Sequence, residues 1–177
     1  VYKITPQGNV LMYTPTLIYH TESGTYDAEL NISGMDVGIY ALSVEFSKTN
    51  YTLQRTSITI VVEERPTNIV LSADYITSYY GEPASVTFYL EDILSQKPVV
   101  LSSSDISVRV RDLASGTTVD AYITMFSNGT CTIYYPSNLI PSKYITKIYI
   151  NKPNYQEASK ELYLEVKERP TYVASSK

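Results

Sequence analysis

Residues 48–67 read KTNYTLQRTSITIVVEERPT and residues 152–171 read KPNYQEASKELYLEVKERPT. Lys48, Asn50 and Tyr51 match Lys152, Asn154 and Tyr155. Ile58, Ile60 and Val62 match Leu162, Leu164 and Val166. Glu64, Arg65, Pro66 and Thr67 match Glu168, Arg169, Pro170 and Thr171, all at an offset of 104 without a gap. A fixed period of self-similarity implies that one structural unit recurs. The alternating apolar residues inside the repeat make that unit a β domain.

A chain of 177 residues with a 104-residue offset holds roughly one and two-thirds repeats, each the size of a small domain. Apolar residues make up 44% and charged residues 18%, enough apolar side chain for a packed core. Fourteen basic against eighteen acidic residues give a net charge of -4 with no basic run, which excludes a phosphate-neutralising, nucleic-acid-binding role. The single cysteine, Cys131, rules out an internal disulfide framework and reads as a small core side chain. No apolar run approaches the roughly 18 residues of a transmembrane segment.

Strand signals fill the chain. VYKI and VLMYTPTLIYH are extended stretches punctuated by Pro6, Gly8 and Pro15. Tyr26, Ala28, Leu30 and Ile32 alternate with polar residues, as do Tyr40, Leu42, Val44 and Phe46, and then Ile58, Ile60 and Val62. Between the first two runs, Asp36, Gly38 and Tyr40 form D-x-G-x-Y at a strand entry. This resembles the tyrosine corner of immunoglobulin-like sandwiches, where the Tyr hydroxyl pins the connection between sheets to upstream backbone. The second copy keeps Tyr144 but has Ile140, Pro141 and Ser142 in place of Asp36, Val37 and Gly38. Either proline rigidity replaces the corner there or Tyr144 is a packed aromatic.

After Pro66, strand signals recur at Ile69 and Leu71, at Val86, Phe88 and Leu90, at Ile106, Val108 and Val110, over 118–125, at Cys131, Ile133 and Tyr135, at Tyr144, Ile148 and Ile150, and in the repeated ending. Thr146 replaces Leu42 on the inward face. The expected fold class is all-β: two tandem immunoglobulin-like Greek-key β-sandwich domains, over 1–66 and 67–170, with 171–177 either opening a following module or forming a tail. Val1 aligns near residue 104 or 105, so the equivalents of about two strands are absent ahead of it and the first domain is expected to be incomplete at its N-terminus. Residues 1–63 then form a smaller sandwich or take complementing strands from a neighbouring chain. The joint Glu63-Glu64-Arg65-Pro66-Thr67 has no Gly or Ser, and its proline restricts swing, so a semi-rigid array is expected.

The run G-T-Y-x-A-x-L-x-I-S-G-M-D-V-G-I-Y-A-L-S-V, followed by K-x-N-Y and by V-x-E-R-P-T, resembles the immunoglobulin-like tandem repeats of large prokaryotic surface proteins, notably long archaeal ones of the Asgard group. The resemblance covers 23–67 and, less closely, 129–171. It implies a secreted or membrane-anchored stalk, surface-layer component or adhesin. The expected role of the chain is a non-enzymatic extracellular structural or adhesion segment, with neighbouring immunoglobulin-like modules or copies of itself as partners and a glycan or protein as ligand.

The chemistry-bearing residues agree with a non-enzymatic role. His20 is the only histidine, with no G-x-S-x-G or cysteine signature beside it. Glu91 and Asp92 are adjacent, point to opposite faces of a strand and are expected to be solvated. No cofactor is expected. Ca2+ is the one metal to weigh, with oxygen ligands from Asp36, Glu63, Glu64 and Glu168, or from Asp105, Asp112 and Asp120. No D-x-D-x-D loop is present, and Arg65 or Arg169 would pair with such carboxylates instead. Asn31, Asn50 and Asn128 head N-x-S/T sequons at turns or strand ends. Among eighteen tyrosines, Tyr79 and Tyr80 beside Gly81 are the cluster that could stack on a sugar or anchor a protein. The alternative to a spacer is therefore a carbohydrate- or protein-binding module appended to a secreted enzyme.

Overall fold

The computed structural model describes residues 1–171 and divides the chain into two compact units, Val1–Glu64 and a second beginning at Arg65. Apart from one 3-10 turn at Ser103–Asp105, the regular structure of the described residues is all strand. The continuation suggested by Thr171-Tyr172-Val173-Ala174 lies outside the described residues from Tyr172 onward.

The first unit contains β1 (Tyr2–Thr5), β2 (Gly8–Leu11), β3 (Leu17–His20), β4 (Thr25–Ala28), β5 (Gly38–Phe46) and β6 (Gln54–Val62). The second contains β7 (Thr67–Leu71), β8 (Tyr75–Tyr79), β9 (Ala84–Asp92), β10 (Lys97–Val99), β11 (Ile106–Asp112), β12 (Thr118–Val119), β13 (Tyr122–Met125), β14 (Thr130–Tyr135), β15 (Ser142–Ile150) and β16 (Ala158–Lys167).

In the second unit, one sheet runs β7-β9-β14-β13, with β10 continuing beside β9 past the end of β14. The other runs β8-β16-β15-β11-β12, and β8 lies parallel to β16 while its other neighbours pair antiparallel. This is the immunoglobulin-like arrangement of two sheets reached by Greek-key crossings. The period-two pattern of each strand explains the packing. Val86, Phe88 and Leu90 of β9 and Cys131, Ile133 and Tyr135 of β14 face Tyr144, Ile148 and Ile150 of β15 and Leu162, Leu164 and Val166 of β16 in one buried cluster. Each such aliphatic side chain contributes roughly 1.5–3 kcal/mol on burial, so this core is the main source of the sandwich's stability.

Gly129 shows how a turn shapes the sheet. Its φ of +86° is one that other residues resist, and a Cβ there would lie 3.1 Å from the Val99 carbonyl oxygen. The β13–β14 hairpin thereby tucks against β10.

The first unit repeats half of this plan. Its main sheet runs β2-β1-β5-β6, and β3-β4 forms a separate hairpin. Lys3 lies opposite Tyr40 as Asp112 lies opposite Tyr144, so β1 and β5 are the counterparts of β11 and β15. Val1 therefore corresponds to Val110, not to residue 104 or 105, because the stretch from Val1 to Tyr40 is five residues longer than its equivalent from Val110 to Tyr144. Among the described residues, the counterparts of β7, β8, β9 and β10 are all absent from the first unit, where the sequence alone suggested two missing strands. Its buried core is correspondingly small: Val1, Tyr40 and Leu42, with Tyr13, Leu30, Met35, Val44, Ile60 and Val62 packed around them.

Candidate functional site

The feature with most chemical content is the Arg65-Pro66-Thr67 stretch of the repeated ending, which is built into the second unit. The Arg65 amide donates to the Asn154 carbonyl at 3.0 Å, and the Gln156 amide donates to the Arg65 carbonyl at 2.9 Å. Thr67 Oγ1 donates to the Gln156 carbonyl at 2.8 Å, and the Ile93 amide donates to the Pro66 carbonyl at 3.0 Å. Arg65 and Thr67 are thus hydrogen-bonded to the K-x-N-Y turn of the second unit and to Gln156 just after it. That turn is closed by a 3.1 Å bond from the Tyr155 amide to the Lys152 carbonyl, with Asn154 at φ 70°. Asn tolerates this left-handed conformation better than other residues bearing a Cβ, and the first copy places Asn50 at φ 66° in the same turn.

The Arg65 side chain completes the anchor. Its Nε and Nη2 lie 2.7 and 2.6 Å from Asp92 Oδ2 at the end of β9. Asp92 Oδ1 accepts from the Leu94 amide at 3.0 Å, while the backbone closes the turn from Gln96 N to Asp92 O. Burial pushes the Asp92 carboxyl up, but the Arg65 guanidinium and the Ser95 and Leu94 donors outweigh it and hold it below the usual range. Asp92 is buried, contrary to the solvated placement expected from its neighbour Glu91. The alternation does send the two to opposite faces, and what the pattern could not show is that the inward face supplies a cation.

Asp112 repeats the device at the end of β11. It accepts from Ser115 Oγ at 2.6 Å, from the Ala114 amide at 3.0 Å and from Ser142 Oγ at 2.5 Å. The Ser115 and Ser142 hydroxyls and the Ala114 amide bring its carboxyl down to about 2. Asp92-Ile-Leu-Ser95-Gln96 and Asp112-Leu-Ala-Ser115-Gly116 are the same turn twice, each closed by a residue at positive φ. That D-x-x-S spacing was the available sequence signal for both buried carboxylates.

The remaining candidate residues are dispersed. Asp36 pairs with Lys3 at 3.3 Å. Glu63 and Glu64 are exposed after β6, and Glu168 is exposed after β16, in the other unit. Asp105 accepts from Ser102 and pairs with Lys152 at 3.3 Å, and Asp120 is exposed. Among the described residues no three His, Cys, Asp or Glu side chains are grouped to hold a metal ion. His20 Nε2 sits 2.8 Å from Asp27 Oδ2 across the exposed β3–β4 hairpin. Asn31, Asn50 and Asn128 are all exposed; Asn31 Oδ1 accepts from the Ser33 amide and Asn128 Oδ1 from the Thr130 amide. Tyr79 and Tyr80 are exposed where β8 ends.

The tyrosine corner is present in both units. Tyr40 Oη donates to the Asp36 carbonyl at 2.7 Å, and Tyr144 Oη donates to the Ile140 carbonyl at 2.8 Å. The question left by Ile-Pro-Ser in the second copy is resolved by the acceptor, a backbone oxygen that every residue carries.

No protein-family model and no curated protein matches the chain. Solved structures similar to it include CopC from Methylosinus trichosporium OB3b, at 13% identity over 60% of this chain and 99% of that one, with a TM-score of 0.46. Domains 4 and 5 of the S-layer protein SbsC are similar at 12% identity over 81% and 83%, TM-score 0.37. Extracellular cadherin domains 3–6 of protocadherin gamma B2 are similar at 11% identity over 85% and 36%, TM-score 0.37.

Proposed function

We propose that this chain is a non-enzymatic, extracellular structural or adhesion segment, a semi-rigid spacer within a repeat-containing surface or surface-layer protein. The observation that carries this reading is the docking of Arg65, Pro66 and Thr67 onto the second unit. It leaves only Glu63 and Glu64 between the end of β6 at Val62 and the anchored Arg65. So short a connection, closed by a proline of fixed φ, limits rotation far more than a Gly/Ser linker would. Partners are then neighbouring immunoglobulin-like modules or further copies, and the exposed Asn31, Asn50 and Asn128 are its glycan attachment points.

Spin labels at Ser57→Cys and Ser159→Cys, in a Cys131→Ala background, test the spacer. A single narrow distance distribution by pulsed electron paramagnetic resonance is expected, broadening when four glycines are inserted after Glu64. A wild-type distribution as broad as that of the glycine variant would refute it. Intact mass from the native source tests the glycan positions.

Exposed Tyr79 and Tyr80 favour a second reading, a carbohydrate- or protein-binding module. Glycan or partner binding abolished by Tyr79→Ala and Tyr80→Ala together would select it over the spacer.

A further inference from the structure

We propose that the second unit binds a neutral glycan at one end of its β8-β16-β15-β11-β12 sheet. One pyranose ring stacks on Tyr149, and its hydroxyls are held by Asn151 and Glu157.

The site is a cavity of about 490 Å³ where β11 begins, β15 ends and β16 begins, a size in the range of small-ligand pockets. Tyr149 is 45% exposed on the outer face of β15, and its cross-strand neighbours are Ser107 and Ser159. Side chains that short leave the ring uncovered, and a tyrosine offers a rigid apolar face with a polar tip. Just past the strand, Asn151 Nδ2 donates to Glu157 Oε1 at 2.9 Å. This bond uses one amide hydrogen and one carboxylate oxygen. The second amide hydrogen, the Asn151 side-chain oxygen and Glu157 Oε2 remain for a ligand. A pyranose has the matching features, a face of C–H groups and adjacent hydroxyls that each donate and accept.

The polar pair is held from behind. Asn151 and Glu157 bracket the 152–156 turn, which is tied to the Arg65 backbone and, through the Lys152–Asp105 pair at 3.3 Å, to the start of β11. The Asn151 amide donates to the Asp105 carbonyl at 2.9 Å. Binding groups fixed before the ligand arrives lose less entropy when it does.

The internal repeat separates these side chains from the scaffold that carries them. At the offset of 104, the first copy has the same turn but places Glu45 and Arg55 at the positions of Tyr149 and Ser159, where they form an ion pair at 2.9 Å. Ser47 and Leu53 stand where Asn151 and Glu157 stand. The strand-turn-strand unit therefore requires neither an open tyrosine nor an amide–carboxylate pair. The charged groups lining the cavity, Asp105 and Glu157, are both acidic, so an anionic sugar is repelled and an uncharged one is not. Tyr79 pairs with Lys167, at the far end of β16 from Ala158, so the site is independent of Tyr79 and Tyr80 and of the spacer reading.

Amide chemical shifts of the full chain, titrated with maltotriose, cellotriose and mannotriose, test the proposal, with sialyllactose as the anionic control. At least one neutral trisaccharide is expected to give saturable shifts at Ser107, Tyr149, Asn151, Glu157 and Ser159 at millimolar concentration. Tyr149→Ala is expected to weaken that binding about tenfold or more and Tyr149→Phe to leave it within about threefold, with the spectrum away from the site unchanged in both. Asn151→Ala is expected to weaken it, and Tyr79→Ala with Tyr80→Ala to leave it intact. Absence of a saturable shift with every neutral trisaccharide, wild-type affinity in Tyr149→Ala, tightest binding by sialyllactose, or loss of binding in the Tyr79 and Tyr80 variant would each overturn it. So would shifts of the same amides with protein concentration alone, since the occupant would then be a second copy.

Discussion

At the scale of single residues, the chain relies on hydrogen bonds to backbone groups whose identity the sequence does not constrain. Tyr40 and Tyr144 each hold a carbonyl four positions upstream, so Tyr40→Phe and Tyr144→Phe are each expected to lower stability by about 1 kcal/mol in denaturant unfolding. D-x-G-x-Y was readable in the first copy from its glycine and aspartate, while Ile-Pro-Ser hid the same bond in the second. Asp92 and Asp112 were harder to read, because each depends on a partner distant in sequence, Arg65 and Ser142 respectively. Both carboxyls titrate lower in the folded chain than in the unfolded one. Their stabilisation is therefore complete above the ordinary carboxylate range near pH 4 and is lost as the pH falls, for Asp112 toward about 2. Asp112→Asn should be less stable at neutral pH and show a flatter decline between about pH 4 and pH 2 in acid titrations followed by circular dichroism.

At the scale of elements, identical positions in the two copies experience different surroundings. β6 and β16 carry the same inward pattern, and the sequence gives no reason to separate them. Leu162→Ala is nevertheless expected to cost about 2–5 kcal/mol, the range for a cavity in a closed core, and Ile58→Ala less than about 1 kcal/mol. The difference lies in β8 and β9, which have no counterparts in the first unit among the described residues. β8 itself was not legible: Tyr-Ile-Thr-Ser-Tyr lacks a clean apolar alternation, and its parallel partner β16 lies far along the chain. The polar Thr146 at an inward position, opposite Leu42 of the first copy, also has its explanation at this scale. Tyr135, standing where Leu30 stands, shares a buried hydrogen bond of 2.9 Å with Thr146, and burial raises its hydroxyl to about 12. One copy fills the site with two leucines and the other with a bonded polar pair. Thr146→Val alone strands the Tyr135 hydroxyl and should cost about 1–3 kcal/mol, whereas Tyr135→Phe with Thr146→Val should recover much of that loss in thermal unfolding.

At the scale of the molecule, the repeat sets the division of labour. Among the described residues the second unit has seventeen buried apolar side chains in one cluster and the first has three, so the two are expected to unfold in separate transitions, the first unit at the lower temperature. Tandem organisation and all-β class were readable from the 104-residue offset and the alternation of Ile58, Ile60 and Val62. The assignment of Arg65 was not, since the repeat places E-R-P-T after the last strand of its own copy, while hydrogen bonding places it on the next. A short joint between the units requires Arg65 to belong to the second, and native-state amide exchange of Arg65 and Gln156 tests this most directly. Exchange of both amides at the rate of the β15–β16 core, and faster on Asp92→Ala, is the predicted result. Exchange of Arg65 at the rate of an unstructured linker, or in step with the first unit, would contradict it.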